Sequence, residues 1–412
     1  MRSSNIELLR ILSMLMIILF HFSVHGTWPE GGPLASDVAV EMLSFGGKLG
    51  VNCFVLITGY FMVKSRLKLG SLLRIVFETW FYSFAILFLF LAAQPDLVTE
   101  AKLRKAVLPV ISGEYWFITC YLALMVISPL LNRAWSQLGP RGRSRTMAVG
   151  FVMLSLLPTA STFNPIGSDL IWFCYIYLLG GWVHERHQNG WDRRSAAVAP
   201  ARTASVLSSA ASRAGASTTP SPANTPAADD TPPFCRLDPA VFVNRWGAGR
   251  TAVISVLFVW VSMAVIGWAQ RAVGFDLIYP DYFVWQYMVP TFFASMGLLL
   301  VFQRLTMPAI PWVNTVAKTT LGIYLIHDNP IMRAWIWPHF APVYDLGFFG
   351  ILGLSLLAAI GVFAVASAID FARITLLEKP LFAWINRRFS DTIERANQWL
   401  SLAEPEEDVG RS

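Results

Sequence analysis

Charge is scarce in this chain. Only 14% of its 412 residues are Asp, Glu, Lys or Arg, where a soluble globular domain carries about a quarter. Together with 55% hydrophobic residues and a mean hydropathy of +0.52, that excludes a water-soluble protein. Cysteine is scarce too. Cys53, Cys120, Cys174 and Cys235 are isolated and form no CxxC pair, which excludes a zinc ribbon or a disulfide framework. Cys53, Cys120 and Cys174 sit in apolar runs and read as small buried hydrophobes. A Walker phosphate loop, a GxSxG elbow and an HExxH helix are all missing, so the common soluble sites for nucleotide, ester and peptide hydrolysis are excluded. No repeat at 20–50 residues and no inverted repeat between halves is visible, as many carriers would show. Any chemistry must come from residues in or beside the apolar runs.

Those runs recur at about 20 residues, the length that crosses a bilayer as a helix. They predict an all-α fold, a polytopic membrane helix bundle of about ten transmembrane helices, with spans near 7–26, 45–63, 74–94, 116–133, 147–163, 169–186, 251–270, 282–302, 318–337 and 347–370. The first run has Glu7 and Arg10 at its start and no small-residue cleavage site after it, so it reads as a retained span rather than a signal peptide. Basic residues crowd the segments on one side, including Arg2, Arg10, Arg74, Arg141, Arg143, Arg145, Lys318, Arg373 and Lys379. The other side holds only Lys48, Lys102, Arg104, Lys105 and Arg271. This asymmetry puts both termini in the cytoplasm. The net charge of +6 is then a topology signal, and its scattering along inner loops argues against nucleic acid as a partner.

Residues 1–186 form the first six spans and 251–388 the last four. Between them, 187–250 loses the apolar runs, and 196–233 is mostly Ala, Ser, Thr and Pro. Such composition cannot offset its ordering entropy and predicts a disordered cytoplasmic linker. Residues 389–412 read as a polar cytoplasmic tail with a short surface helix.

Ionisable residues inside lipid are costly and mark functional sites. Arg10 and His21 are eleven residues apart, about three turns of helix, so they share a face roughly 16 Å apart along the axis. His25 follows four residues after His21, on the same face. A histidine can act as general base near neutral pH; the competing reading is a ring that only bonds a neighbouring helix. Gly50-Val51 to Gly59-Tyr60 in the second span reads as close packing, with Thr58 and Tyr60 able to bond across helices. Glu78 lies four residues from Arg74, which predicts an internal ion pair. Glu114-Tyr115-Trp116-Phe117 opens the fourth span, at the depth of an interfacial belt. The ninth span, Thr319 to His327, is interrupted by Asp328-Asn329-Pro330. A broken helix at membrane depth is tolerated only against protein or a water-filled cavity. Tyr324 and His327, three apart, are expected to share a cavity with His21.

Arg10-x10-His21, Gly50-Val51 to Gly59-Tyr60, Tyr115-Trp116-Phe117 and Gly322-Ile323-Tyr324-Leu325-Ile326-His327, in this order on a ten-span frame, resemble the acyltransferase-3 family of integral membrane acyltransferases. The resemblance covers about 1–380 apart from 187–250, in a single-domain form without an SGNH-type hydrolase domain. It implies transfer of an acyl group, usually acetyl from acetyl-coenzyme A, to hydroxyls of cell-envelope or exported glycans or their lipid-linked precursors, at the bacterial plasma membrane. Arg10 and His21 match the family's essential first-span pair. On this reading His21, Tyr324 and His327 are catalytic, with His21 either general base or transient acyl carrier. Arg10, Arg74 and Lys318 bind the coenzyme. His25, Glu114, Trp116 and Tyr60 bind the acceptor, and no metal is expected. The longer acidic Trp-Ser-Leu-type motif of the lipopolysaccharide-modifying subgroup is missing from the fourth span. The rival class is a secondary transporter or flippase for a glycan or lipid intermediate, which would also use a broken helix and buried histidines.

Overall fold

The computed structural model describes residues 3–161, 167–188, 237–275 and 278–401, and among these every regular element is helical. In chain order they are α1 (Ser4–His25), α2 (Leu34–Met62), α3 (Leu69–Ala93), α4 (Glu100–Val107), α5 (Trp116–Gln137), α6 (Pro140–Phe151), α7 (Leu157–Ser161), α8 (Asp169–Gln188), α9 (Pro239–Trp246), α10 (Ala248–Val273), α11 (Val289–Arg304), α12 (Pro311–Val316), α13 (Thr320–His327), α14 (Pro330–Ile336), α15 (Gly347–Arg373), α16 (Lys379–Arg388) and α17 (Ser390–Ser401). The fold is therefore an all-α polytopic bundle. Seven stretches are long and apolar enough to cross a membrane: α1, α2, α3, α5, α10, Tyr282–Arg304 and the run that contains α15. The fifth, sixth and ninth expected spans are helical but fall outside this set. The fifth opens on Arg141, Arg143 and Arg145 and is split by a π turn at Val152–Leu156. The sixth, α8, carries Asp169 at one end and Glu185, Arg186 and His187 at the other. The ninth is broken at Asp328.

The centre of the bundle is α1 packed on α2. Both are apolar around most of their circumference, as a helix enclosed by others must be. Glycines set the spacing: a Cβ on Gly46 would lie 2.6 Å from the Met16 carbonyl oxygen, and one on Gly50 2.6 Å from that of Ser13. The same device joins α2 to α8, where a Cβ on Gly59 or Gly180 would overlap the carbonyl oxygens of Tyr177 and Leu56. Small residues give close backbone approach, the main source of helix association in lipid. We call the end carrying the start of α1 the inner end, following the charge asymmetry.

Several expectations need correction. Helix α2 starts at Leu34, eleven residues before the expected span, and Lys48, counted from the sequence among the outer-side basic residues, sits half-buried within it. Glu78 does not pair with Arg74 on its own helix. It pairs with Arg373 of α15 at 3.0 Å, and Arg74 reaches Glu378 at 3.9 Å. Most of the expected linker lies outside the described residues, but 237–250 is folded. Asp238 is fully buried, caps α9 through Ala240 N–H at 3.0 Å, and accepts from Ser144 Oγ at 2.8 Å and Trp182 Nε1 at 2.9 Å. The tail helix is present as α17, anchored where Asn397 accepts from the Leu69 N–H at 2.7 Å.

Candidate functional site

A cavity of about 650 Å³ runs through the bundle between α1, α2, α3, α5, α13 with the turn before it, and the junction of α15 with α16. On α1 it is lined by Arg10, Met14, Ile17 and His21, one helical stripe at spacings of four, three and four. The stripe carries the cavity from the inner end to the depth of His21. At the inner end Arg10 is joined by Arg74, Lys318 and Lys379. The last three are exposed, while Arg10 is half-buried and ion-paired to Glu7 at 2.8 Å. Partway along, Glu78, Arg373 and Glu378 form the wall; Arg373 bonds Asp370 and Glu378 at 2.7 Å each. At the far end His21, Lys48, Trp116 and Tyr324 close it.

The broken ninth span builds the surroundings of His21. Asp328 follows the last residue of α13, and Asn329 caps α14, its Oδ1 accepting from the N–H groups of Ile331 at 2.9 Å and Met332 at 3.4 Å. Asn329 also donates to the Tyr115 hydroxyl at 2.8 Å, and Tyr115 donates to the Leu325 carbonyl at 3.2 Å. These bonds satisfy the backbone and side chains freed by Pro330. They hold Asp328 Oδ1 at 3.3 Å from His21 Nε2 and 3.8 Å from His25 Nε2, with Arg333 Nε at 3.6 Å.

The partners fix the tautomers. His327 Nδ1 lies 2.6 Å from the Ile323 carbonyl oxygen, which can only accept, so Nδ1 carries the proton. His327 Nε2 is then an acceptor, and it lies 2.9 Å from His21 Nδ1, which must donate. That leaves His21 Nε2 as the unprotonated ring atom, 3.3 Å from Asp328 Oδ1, assigned from the network as ring protons must be. A proton gained at that atom would create an imidazolium facing the Asp328 carboxylate, a charge-assisted contact.

Of the residues predicted from sequence, Arg10, Arg74, Lys318, His21, Trp116 and Tyr324 all line the one cavity. The other four lie off it. His327 is fully buried behind His21, so its contact is with the ring and not with the cavity. His25 stacks on His21 at 5.4 Å between ring centres and accepts from Arg333 Nη1 at 3.1 Å. Tyr60 faces away, because it is two residues (about 200°) round α2 from the cavity-lining Thr58; it packs edge-on against His184 at 4.5 Å. Glu114 is buried just before α5, and burial pushes its carboxyl up to about 7 despite Lys105 and Arg333 nearby. Sequence reasoning assigned no role to Asp328, Lys48 or Lys379. Asp328 was visible only as part of the break, and Lys48 only as one of the outer-side basic residues.

No curated protein and no solved structure matches the chain. The acyltransferase domain model of the acyltransferase-3 family matches residues 3–373. That interval holds every residue lining the cavity except Ile374, Glu378 and Lys379. With nearly its whole length matched and its charged residues converging on an internal cavity, the chain belongs to the acyltransferase-3 family and is a multi-pass membrane acyltransferase.

Proposed function

We propose that the protein takes an acetyl group from acetyl-coenzyme A at the cytoplasmic face of the bacterial plasma membrane and transfers it to a hydroxyl of a cell-envelope or exported glycan, or of its lipid-linked precursor. The observation that carries this reading is one cavity lined at one end by four cations and at the other by His21, whose Nδ1 is engaged by His327 and whose Nε2 faces Asp328. Phosphates of the coenzyme suit the guanidinium groups of Arg10 and Arg74, with Lys318 and Lys379 as additional point charges. The acyl-pantetheine arm follows the α1 stripe, roughly 16 Å of helical rise from Arg10 to His21. His21 Nε2 takes the proton of the acceptor hydroxyl as its oxygen attacks the thioester carbon. The carbon–sulfur bond then breaks, and the departing thiolate takes that proton from His21, leaving an ester and free coenzyme A. Asp328 supports the imidazolium in between, and Trp116 and Tyr324 border the space for the acceptor.

The test is donor chemistry in purified, reconstituted protein. Coenzyme A thiol should be released from acetyl-coenzyme A when envelope glycan is supplied, with one acetyl mass appearing on the glycan. His21→Ala should abolish release, a loss of on the order of 10³-fold or more, as for a lost general base in a catalytic unit. Arg10→Gln should raise KM for acetyl-coenzyme A about tenfold, the size of a lost charged contact. Full activity in His21→Ala would remove this mechanism.

A further inference from the structure

The geometry points to Lys48 as a further catalytic residue, the group that stabilises the oxyanion formed when the thioester carbonyl is attacked. The inference rests on reading the cavity as an acyl-transfer site. Attack there converts the carbonyl double bond to a carbon–oxygen single bond and leaves a full negative charge on that oxygen. The charge persists until the carbon–sulfur bond breaks and the thiolate leaves. A donor must wait where that charge develops. His327, read from the sequence as catalytic, is buried behind His21 and does not line the cavity.

Lys48 has the right surroundings. It lines the cavity beside His21 and Tyr324. Its depth follows from its neighbour: Gly47 packs directly on the Phe20 ring, one residue short of His21. A helical side chain leans toward its own N-terminus, here the outer end, so the ammonium rises to the level of the imidazole. Its Nζ lies 4.7 Å from the centre of the Trp116 ring and 4.9 Å from that of Trp285. Among the described residues Lys48 has no carboxylate within ion-pair distance; the acid that acts on it, Asp169, stands beyond that range on the exposed start of α8.

A cation within a membrane bundle without a counter-ion is costly. Two indole faces offset part of that cost while keeping the charge unneutralised. A lysine that only stabilised the fold would be expected to hold a carboxylate, as Arg373 does with Glu78, Asp370 and Glu378. Lys48 instead has no such partner among the described residues and lines the same cavity as His21.

The experiment compares acetyl-coenzyme A turnover by Lys48→Met, Lys48→Arg and Trp285→Leu with wild type and His21→Ala, in reconstituted full-length protein. Lys48→Met should lower kcat by on the order of 10²–10³-fold, the effect of removing one oxyanion donor, with KM for acetyl-coenzyme A unchanged. Lys48→Arg, which keeps the cation, should recover at least about a tenth of the wild-type kcat. Trp285→Leu removes one face of the clamp and should lower kcat about fivefold, the scale of a cation–π contact. Trp285 is 44% exposed, so this variant stays informative if Lys48→Met does not fold. An unchanged kcat in either Lys48→Met or Trp285→Leu overturns the inference. So does a raised donor KM at constant kcat, which would make Lys48 a coenzyme anchor. Full turnover in His21→Ala would instead strike at the acyl-transfer reading itself and take the Lys48 role with it.

Discussion

At the scale of single residues, His21, the proposed base, takes its tautomer from a ring that lies off the cavity. The Ile323 carbonyl sets the proton on His327, and His327 sets the one on His21. On the proposed mechanism His327 is therefore a positioning residue. His327→Phe should lower kcat about 10²-fold with the donor KM unchanged, because a base held in the wrong tautomer loses most of its effect. His327→Gln keeps one acceptor toward His21 and one donor toward Ile323, and should recover most of that loss. A merely structural role would instead shift stability in both variants and leave the kcat difference between them small. The three-residue spacing of Tyr324 and His327 correctly put both beside His21. It could not tell a ring in the cavity from a ring behind one, because that depends on the turn at Asp328 and on which side of α13 meets α1.

At the scale of elements, what was legible was periodicity. The Arg10 to His21 stripe was readable because α1 is regular, and a regular helix turns spacing into a face. The start of α2 was not. Leu34 to Ser44 holds Asp37 and Glu41 among small and apolar residues, and hydropathy places the boundary where the charges stop rather than where the helix does. The α3–α15 ion pair was likewise out of reach, since Glu78 and Arg373 meet only through tertiary packing while Arg74 is its near neighbour in sequence. Glycine, by contrast, was read correctly as packing, and its cost can be measured. In Gly59→Ala the new Cβ overlaps the Tyr177 backbone, and neither helix can yield without moving. This should destabilise the protein by about 3 kcal/mol, the upper range for overpacking. Gly361→Ala on α15 has open space around it and should be near neutral. Thermal unfolding in detergent of the two variants would decide; equal midpoints would mean that α2 and α8 do not pack this closely.

At the scale of the whole molecule, the protein joins two chemical environments through one passage. The charge asymmetry read from sequence says which end faces the cytoplasm, and the cavity begins at that end with Arg10, Arg74, Lys318 and Lys379. No single element shows this passage, because α1, α2, α3, α5 and α13, the turn before α13 and the junction of α15 with α16 each contribute residues to it. The family motifs mark its two ends but not its continuity. Continuity is nevertheless what the proposed function requires, since on that proposal a coenzyme held at the mouth reaches His21 only if the middle stays open. Met14 and Ile17 occupy that middle on α1. Ile17→Trp places an indole in the passage while leaving both ends intact. Coenzyme A release should fall by on the order of 10²-fold, as expected when reacting groups are kept from near-attack geometry. Binding of 3′-phosphoadenosine 5′-phosphate, followed by thermal shift, should stay within about twofold of wild type, because such a ligand lacks the arm and needs only the charged mouth. Ile17→Val, which leaves the passage open, should turn over normally. If the indole leaves turnover intact, the arm does not run along this face of α1; if it abolishes nucleotide binding as well, mouth and passage are not separate parts of one site.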